Sequence, residues 1–392
     1  MFRQKDPMLA AHVRIIFLVV NFAYQLLPLW LMYTTQQVWP IFITVGFFFG
    51  FVPLFDLLYG DAKAYPETKL SDRFFLVMQY LQGALLFTTF VAAIVVATSG
   101  RVPAWGSALA VTVIGMLNVQ CSVVAHEFGH KLGRWSRTVS NFVCATVGMG
   151  YFMPQHVMGH HVKVATPEDC ATARFGDTAI GFIVRSFPAE VHGGVTLEAA
   201  RLRKRGLPVW SLHNDVIVSY GMSAIIAGVL AVLLGWQALP WILLHHAAAW
   251  FTLMLNDYVQ HYALMREMLP SGRREPAGPQ HSWNTDAPLT NLLVLNVQRH
   301  SHHHDAPMLP YQYLKDIPDT PRLPTGYFGM MHIALMPPLW FHLMDPRVVA
   351  AADGRIERIN VGKHGNKRLE RLLAEYNGGK EAAATAGEPV AA

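Results

Sequence analysis

The chain has 392 residues, of which 52% are hydrophobic and only 15% charged, with a formal net charge of +5. That balance excludes an ordinary soluble domain. The three cysteines, Cys121, Cys144 and Cys170, form no CxxC pair, which excludes a thiolate iron–sulfur or zinc-ribbon site and any disulfide framework.

About 20 apolar residues of helix cross a bilayer, and the sequence predicts six such spans at 15–32, 38–59, 74–98, 104–124, 216–234 and 239–255. These runs lack the polar face at the 3.6 period that a helix of a soluble core would show. The expected fold is therefore all-α and polytopic. The first run is long, has no small-residue cleavage site and is followed at once by another span, so no cleavable signal peptide is expected. With a cytoplasmic N-terminus the outer loops are "YTTQQ", "SGRVP" and "GWQ", which hold one basic residue, Arg101. The remaining Lys and Arg fall inside or at the end of the first span, so the charge is better read as topology than as a nucleic-acid signal. The localisation expected is a bacterial-type inner, cytoplasmic membrane. Residues 141–152 are too short to span, and 326–344 are broken by Gly329 and Pro337-Pro338; both are expected to be re-entrant or to lie on the membrane surface. The expected organisation is a membrane-embedded domain at 1–345 with a cytoplasmic cap. A soluble extension follows at 346–392, ending in the linker-like "GGKEAAATAGEPVAA".

Chemistry enters at "VVAHEFGHKLGRWSR". Its His126-Glu127-Phe128-Gly129-His130 matches the HExxH pattern of zinc proteases. A protease needs one further ligand, yet the same membrane face collects three more clusters. "PQHVMGHHVKVATPEDC" carries His156, His160 and His161, "NDYVQHY" carries His261, and "QRHSHHHDAP" carries His300, His303 and His304. Four distant segments meeting on one side argue for a histidine-rich cytoplasmic site. On a helix, positions i, i+3 and i+4 share a face. His126 and His130 are so related, as are His156 with His160 and His300 with His303 and His304. His161 is turned roughly 100° from His160 and can reach a second ion. Imidazole suits Fe, Zn, Cu and Ni. Nine ligands exceed one tetrahedral zinc and suit two metals sharing them about four and five.

The motifs "HEFGHK", "QHVMGHH", "DYVQHYA" and "VQRHSHHH", with "HHVKVATPED", "PLTNLLVLNVQRH" and "YQYL", resemble those of the membrane alkane 1-monooxygenases, or alkane ω-hydroxylases. That family lies within the superfamily of integral-membrane fatty-acid desaturases and hydroxylases. The resemblance runs from the first span to about Met344. The chain departs from it at Gln155, where the family's box has Glu, and at Asp257, Gln260 and Ala263. Desaturases carry H-x3-4-H and H-x2-H-H boxes and lack both the GHH box followed by "VATPED" and the RHSxHH phrase.

The resemblance implies terminal hydroxylation of medium- or long-chain n-alkanes to 1-alkanols at a non-haem di-iron centre. The co-substrate is O2, and two electrons come from rubredoxin, itself reduced by a flavoprotein reductase. A terminal C–H bond resists any acid, base or nucleophile of a protein, so a metal-borne oxidant is required. The expected ligands are His126, His130, His156, His160, His161, His261, His300, His303 and His304. His302 stands at the family's variable position and is expected to point away. Glu127, Glu168, Asp169, Asp257 and Asp305 are candidates to accept the outer N–H of a ligating imidazole; helix capping or a solvated charge is the alternative for each. Arg134, Arg137, Arg201, Arg203, Lys204 and Arg205 are accounted for by topology, with docking of an acidic electron donor as the sharper reading. Two other functions remain open at this stage, a membrane desaturase or acyl-chain hydroxylase and a non-enzymatic metal carrier.

Overall fold

The computed structural model describes residues 7–62, 70–131 and 133–386. Its first three long helices are α1 (Pro7–Thr35), α2 (Ile41–Tyr59) and α3 (Asp72–Thr98). The fourth span is made of two pieces, α4 (Ala104–Leu117) and α5 (Gln120–Gly129). The link to the fifth span holds α6 (Arg134–Thr146), α7 (Phe152–Gln155) and the long α8 (Ala179–Lys204). Spans five and six are α9 (Asp215–Leu234) and α10 (Ala238–Gln260). Beyond them come α11 (Pro288–Leu293), α12 (His300–Asp305), α13 (Tyr327–Ala334), α14 (Pro337–Ala351) and α15 (Asn366–Ala386). All six spans fall on the stretches that the hydropathy predicts. No strand forms among the described residues, only isolated bridges such as that between Leu264 and Ile359.

The fourth span is the most enclosed of the six, and the fifth stands at the rim with only 22% of its apolar window buried. Small residues let the fourth and sixth spans meet. A Cβ on Gly115 would lie 2.5 Å from the backbone oxygen of His245 and 2.9 Å from Ala248 Cβ. Close backbone approach through small residues is the usual way that membrane helices gain van der Waals contact.

Three residues further on the fourth span breaks. Asn118 Nδ2 donates to Leu86 O (3.1 Å) and lies 3.1 Å from His245 Nε2, while Thr89 Oγ1 donates to Asn118 Oδ1 (3.0 Å). These partners satisfy polar groups at the break that lipid could not satisfy. The break sets the direction of α5, which carries His126. His245, outside every histidine box, thus takes part in holding helices together.

The intramembrane polar residues have similar structural partners. Asp56 accepts from the backbone N–H of Leu289 and of Thr290 (3.0 Å each) and so caps α11. Gln82 donates to Gln120 and to Leu293 O, and Gln79 accepts from Lys131 Nζ at 2.7 Å.

Residues 326–344 fold as α13 and the start of α14, two short helices separated before Pro337. The expected boundary between 345 and 346 falls inside α14. The segment beyond it is woven into the rest. Phe175 N donates to Asn360 O, Asn360 N to Ala263 O, and Met265 N to Arg358 O. Asp345 accepts from Tyr262 OH (2.8 Å) and pairs with Arg368 at the start of α15. The alanine-rich part of the tail is helical as far as Ala386, in keeping with the high helix propensity of alanine; its last six residues lie outside the described range.

Gly115→Val is expected to force the fourth and sixth spans apart and cost about 1–3 kcal/mol, read as a lower melting temperature in detergent. Gly221→Ala in α9, where a Cβ meets nothing within 4 Å, is expected to leave that temperature unchanged or slightly raised.

Candidate metal centre

Four segments deliver imidazoles to one end of the bundle. α5 supplies His126, and His130 follows as its last turn closes. The end of α10 supplies His261, and α12 supplies His300, His303 and His304.

The remaining box departs from regular helix. After α7 the chain makes a π-helical turn over His156–His160 before a last α-turn, His161–Lys163. A π turn closes on i+5 rather than i+4. His156 therefore meets His161, with Nε2 atoms 2.9 Å apart, and not His160 as regular helical spacing predicts. His160 turns the other way.

The nine rings sort into two adjacent groups. His126, His130, His156, His161 and His303 form one, and His160, His261, His300 and His304 the other; within each, the candidate ligand atoms all lie within 4.8 Å of one another. The groups share a wall, with His161 and His304 ring centroids 4.7 Å apart. Helix α12 feeds both, sending His303 to the first and His300 and His304 to the second.

The donor chemistry fits cations. His303 Nε2 lies 2.9 Å from His126 Nε2 and 3.1 Å from His161 Nε2, which is itself 2.9 Å from His156 Nε2. In the second group His300 Nε2 is 3.0 Å from both His261 Nε2 and His304 Nε2. A neutral imidazole nitrogen either donates one proton or offers one lone pair. Such chains of nitrogens cannot all be hydrogen-bonded, whereas lone pairs aimed at a common ion account for every contact.

Burial keeps most of these rings neutral, the state that ligates. It lowers His130 to about 4, His300 to about 3 and His161 to about 2, the last helped by the charge of His160. Burial pulls His160 down too, but the charge and hydrogen bond of Asp169, with the charge of Asp257, together outweigh it and the net shift is upward.

Of the five acids proposed to support ligands, Asp169 has a hydrogen bond to a ligand-candidate ring, His160 Nδ1, at 3.0 Å. Its own position is fixed by Thr172 Oγ1 (2.7 Å) and Ala171 N (3.2 Å). Glu127 is buried and accepts from the backbone N–H of Tyr311 at 3.3 Å. Asp257 acts on His160 through its charge. Glu168 is exposed and lies 3.9 Å from Arg274, and Asp305 is exposed. His302 turns away, its Nδ1 accepting from Lys315 N at 2.8 Å.

Sequence reasoning missed the groups that brace α12. Arg299 donates to the buried carboxylate of Asp286 at 2.8 Å, and Asn291 donates to the same oxygen. Asn284 accepts from Ser301 N (2.8 Å) and donates to Ser301 Oγ (2.6 Å). The signal was present: Arg299 and Ser301 flank His300 inside the fourth box. Gln155 donates to Cys170 Sγ at 3.0 Å, so its amide is engaged where a glutamate would carry charge.

The fatty acid desaturase family model matches residues 101–334, which contain all nine histidines. Alkane 1-monooxygenase 1 of Alcanivorax borkumensis is 33% identical over 83% of this chain and 83% of its own length. The alkane 1-monooxygenase of Pseudomonas putida is 33% identical over 86% of each chain. Alkane 1-monooxygenase 1 of Pseudomonas aeruginosa is 36% identical over 77% of this chain and 81% of its own.

The chain belongs to the alkane 1-monooxygenase family. It is a multi-pass membrane oxidoreductase, and the histidine-rich cluster is its metal site. The departure at Gln155 replaces a carboxylate with an amide that donates to Cys170, and all nine histidines remain in the two groups.

Two metal ions per chain are expected from elemental analysis of the purified protein. His304→Ala, in the group of four, is expected to lower that figure toward one. Asp169→Asn keeps the shape but loses the charge that orients His160, and is expected to weaken metal retention or activity about 10- to 100-fold.

Proposed function

We propose that the protein hydroxylates the terminal carbon of medium- or long-chain n-alkanes, converting alkane, O2, two electrons and two protons to 1-alkanol and water. The observation that carries this reading is the pairing of two adjacent all-imidazole groups with a chain alignable over most of its length with alkane 1-monooxygenases. The two ions are proposed to be iron, the first held by His126, His130, His156, His161 and His303 and the second by His160, His261, His300 and His304. When bound they supply the oxidising power that no side chain offers.

The protein's own residues do the rest. Burial limits water at the cluster and favours the unprotonated form of most of the imidazoles, such as His130, His161 and His300. Asp169 fixes His160 with Nδ1 outward, leaving Nε2 for metal. A narrow cleft between α1 and α3, of mixed lining with Phe17, Leu18, Met78, Leu292 and Leu295 beside the polar Arg14, Asn21 and Gln82, reaches Tyr311; a methylene chain would have to widen it to pass. The backbone of Tyr311 is bonded to Glu127, the residue next to His126, so the cleft adjoins the first group.

The site is assigned to the cytoplasmic side of the inner membrane, in line with the basic inner loops. Rubredoxin, reduced by its reductase, is the proposed electron donor. Arg137 and Arg201 are engaged by Asp215 and Glu198, so donor docking is assigned to the exposed Lys163 and Lys315, near His161 and His302.

Membranes holding the protein, given octane or dodecane with rubredoxin, reductase and NADH, are expected to form the 1-alkanol. An alkene, or turnover of acyl chains with none of alkanes, identifies a desaturase or acyl hydroxylase instead. Rubredoxin-driven turnover is expected to fall as ionic strength rises above about 0.1 M, where the Debye length drops below about 10 Å, and to fall further in K163E/K315E; a rate indifferent to both overturns that docking site.

A further inference from the structure

Helix α8 has no apolar stretch of spanning length, since Arg185, Glu190, Glu198, Arg201, Arg203 and Lys204 are spread along it. Its inner face nevertheless packs at bilayer depth. Phe187 stacks on Trp250 with ring centroids 5.2 Å apart. Trp250 lies about 15 Å of helical rise before the end of the sixth span at Gln260. Gly194 lets the same helix rest on Tyr151 O, beside the second histidine box.

The outer face is mostly apolar. Ile180, Val184, Pro188 and Val195 are exposed, Val184 by 71%, and share one side of the helix, with His192 and Thr196 exposed among them. A helix washed by water would carry its charges there.

The stripe continues into a cationic turn and an apolar tip. Arg203, Lys204 and Arg205 are exposed and, among the described residues, form no ion pair, unlike Arg201, which is held by Glu198. The following loop offers Trp210, 88% exposed, and Leu212, 85% exposed. It runs directly into Asp215, the first residue of the span with the least buried surface. An apolar stripe, a basic turn and a tryptophan continuous with a lipid-facing span have the make-up of an interfacial element.

We propose that α8 and residues 206–213 form a membrane-surface element that binds anionic phospholipid headgroups through Arg203, Lys204 and Arg205. Trp210 and Leu212 lie in the boundary between headgroups and acyl chains, and Val184 and Val195 face the acyl chains beneath it. Phosphate oxygens supply the counter-charge that the protein withholds from the three cations. A soluble electron donor is the poorer fit, because between encounters Trp210 and Leu212 would stand in water. The proposal rests on the membrane topology and is independent of which hydrocarbon the enzyme oxidises.

Two measurements on the full chain in nanodiscs test it. In V184C and W210C carrying a nitroxide label, relaxation by O2 is expected to exceed relaxation by a water-soluble nickel chelate; relaxation dominated by the chelate at both sites overturns the proposal. In native mass spectrometry with equal phosphatidylglycerol and phosphatidylcholine, the wild type is expected to retain the anionic lipid in preference. R203Q/K204Q/R205Q is expected to lose that preference about tenfold, with metal content unchanged, and W210S/L212S to lower total retained lipid. An unaltered preference in the triple variant, with or without slower rubredoxin-driven turnover, overturns the lipid site; the slower turnover would reassign the cations to the donor.

Discussion

The structure depends on holding the lone pairs of nine imidazoles on two small volumes inside protein. Buried polar atoms without partners are expensive, and here nitrogen faces nitrogen at about 3 Å. Only a cation makes that arrangement favourable. The braces around the rings are correspondingly polar and buried: Asp169 on His160, Asp286 on Arg299, and Asn284 on Ser301. They restrict ring orientation before any ion arrives, so that binding need not order loose side chains. The enclosed fourth span and the sixth span then act as the rigid frame from which the first and third boxes project.

One local irregularity separates the two groups. On a regular helix His156 and His160 would share a face and His161 would stand apart. The π turn adds a residue to the circuit, aligns His156 with His161 and frees His160 to join His261, His300 and His304. Helix α12 makes the complementary division with ordinary α geometry, since His300 and His304 lie four apart and His303 leans toward the other group. Groups of five and four imidazoles on interleaved segments make the two candidate sites chemically unequal.

Much of this was legible in the sequence because its signals are strong and local. Long uncharged runs fixed six spans, and charge asymmetry placed the histidine clusters on one face. Composition could not reveal α8, whose charges break the apolar count although only one side of the helix meets solvent or lipid. Glu168 and Asp305 stand near histidines along the chain, yet adjacency does not fix side-chain direction, and both are exposed. Asp169, one position from Glu168, turns inward because Thr172 and Ala171 hold it there. The π turn leaves no compositional mark, so the regular spacing of His156 and His160 points to a shared face where the structure instead joins His156 to His161.

The far end of the chain is fastened to the metal centre. Tyr262, next to His261, is tied through Asp345 to Arg368, and residues 358–361 pair with backbone at the end of the third box, 263–265, and at Phe175. The third box therefore cannot shift without disturbing the root of α15, and the stability of that helix is coupled to the placing of His261.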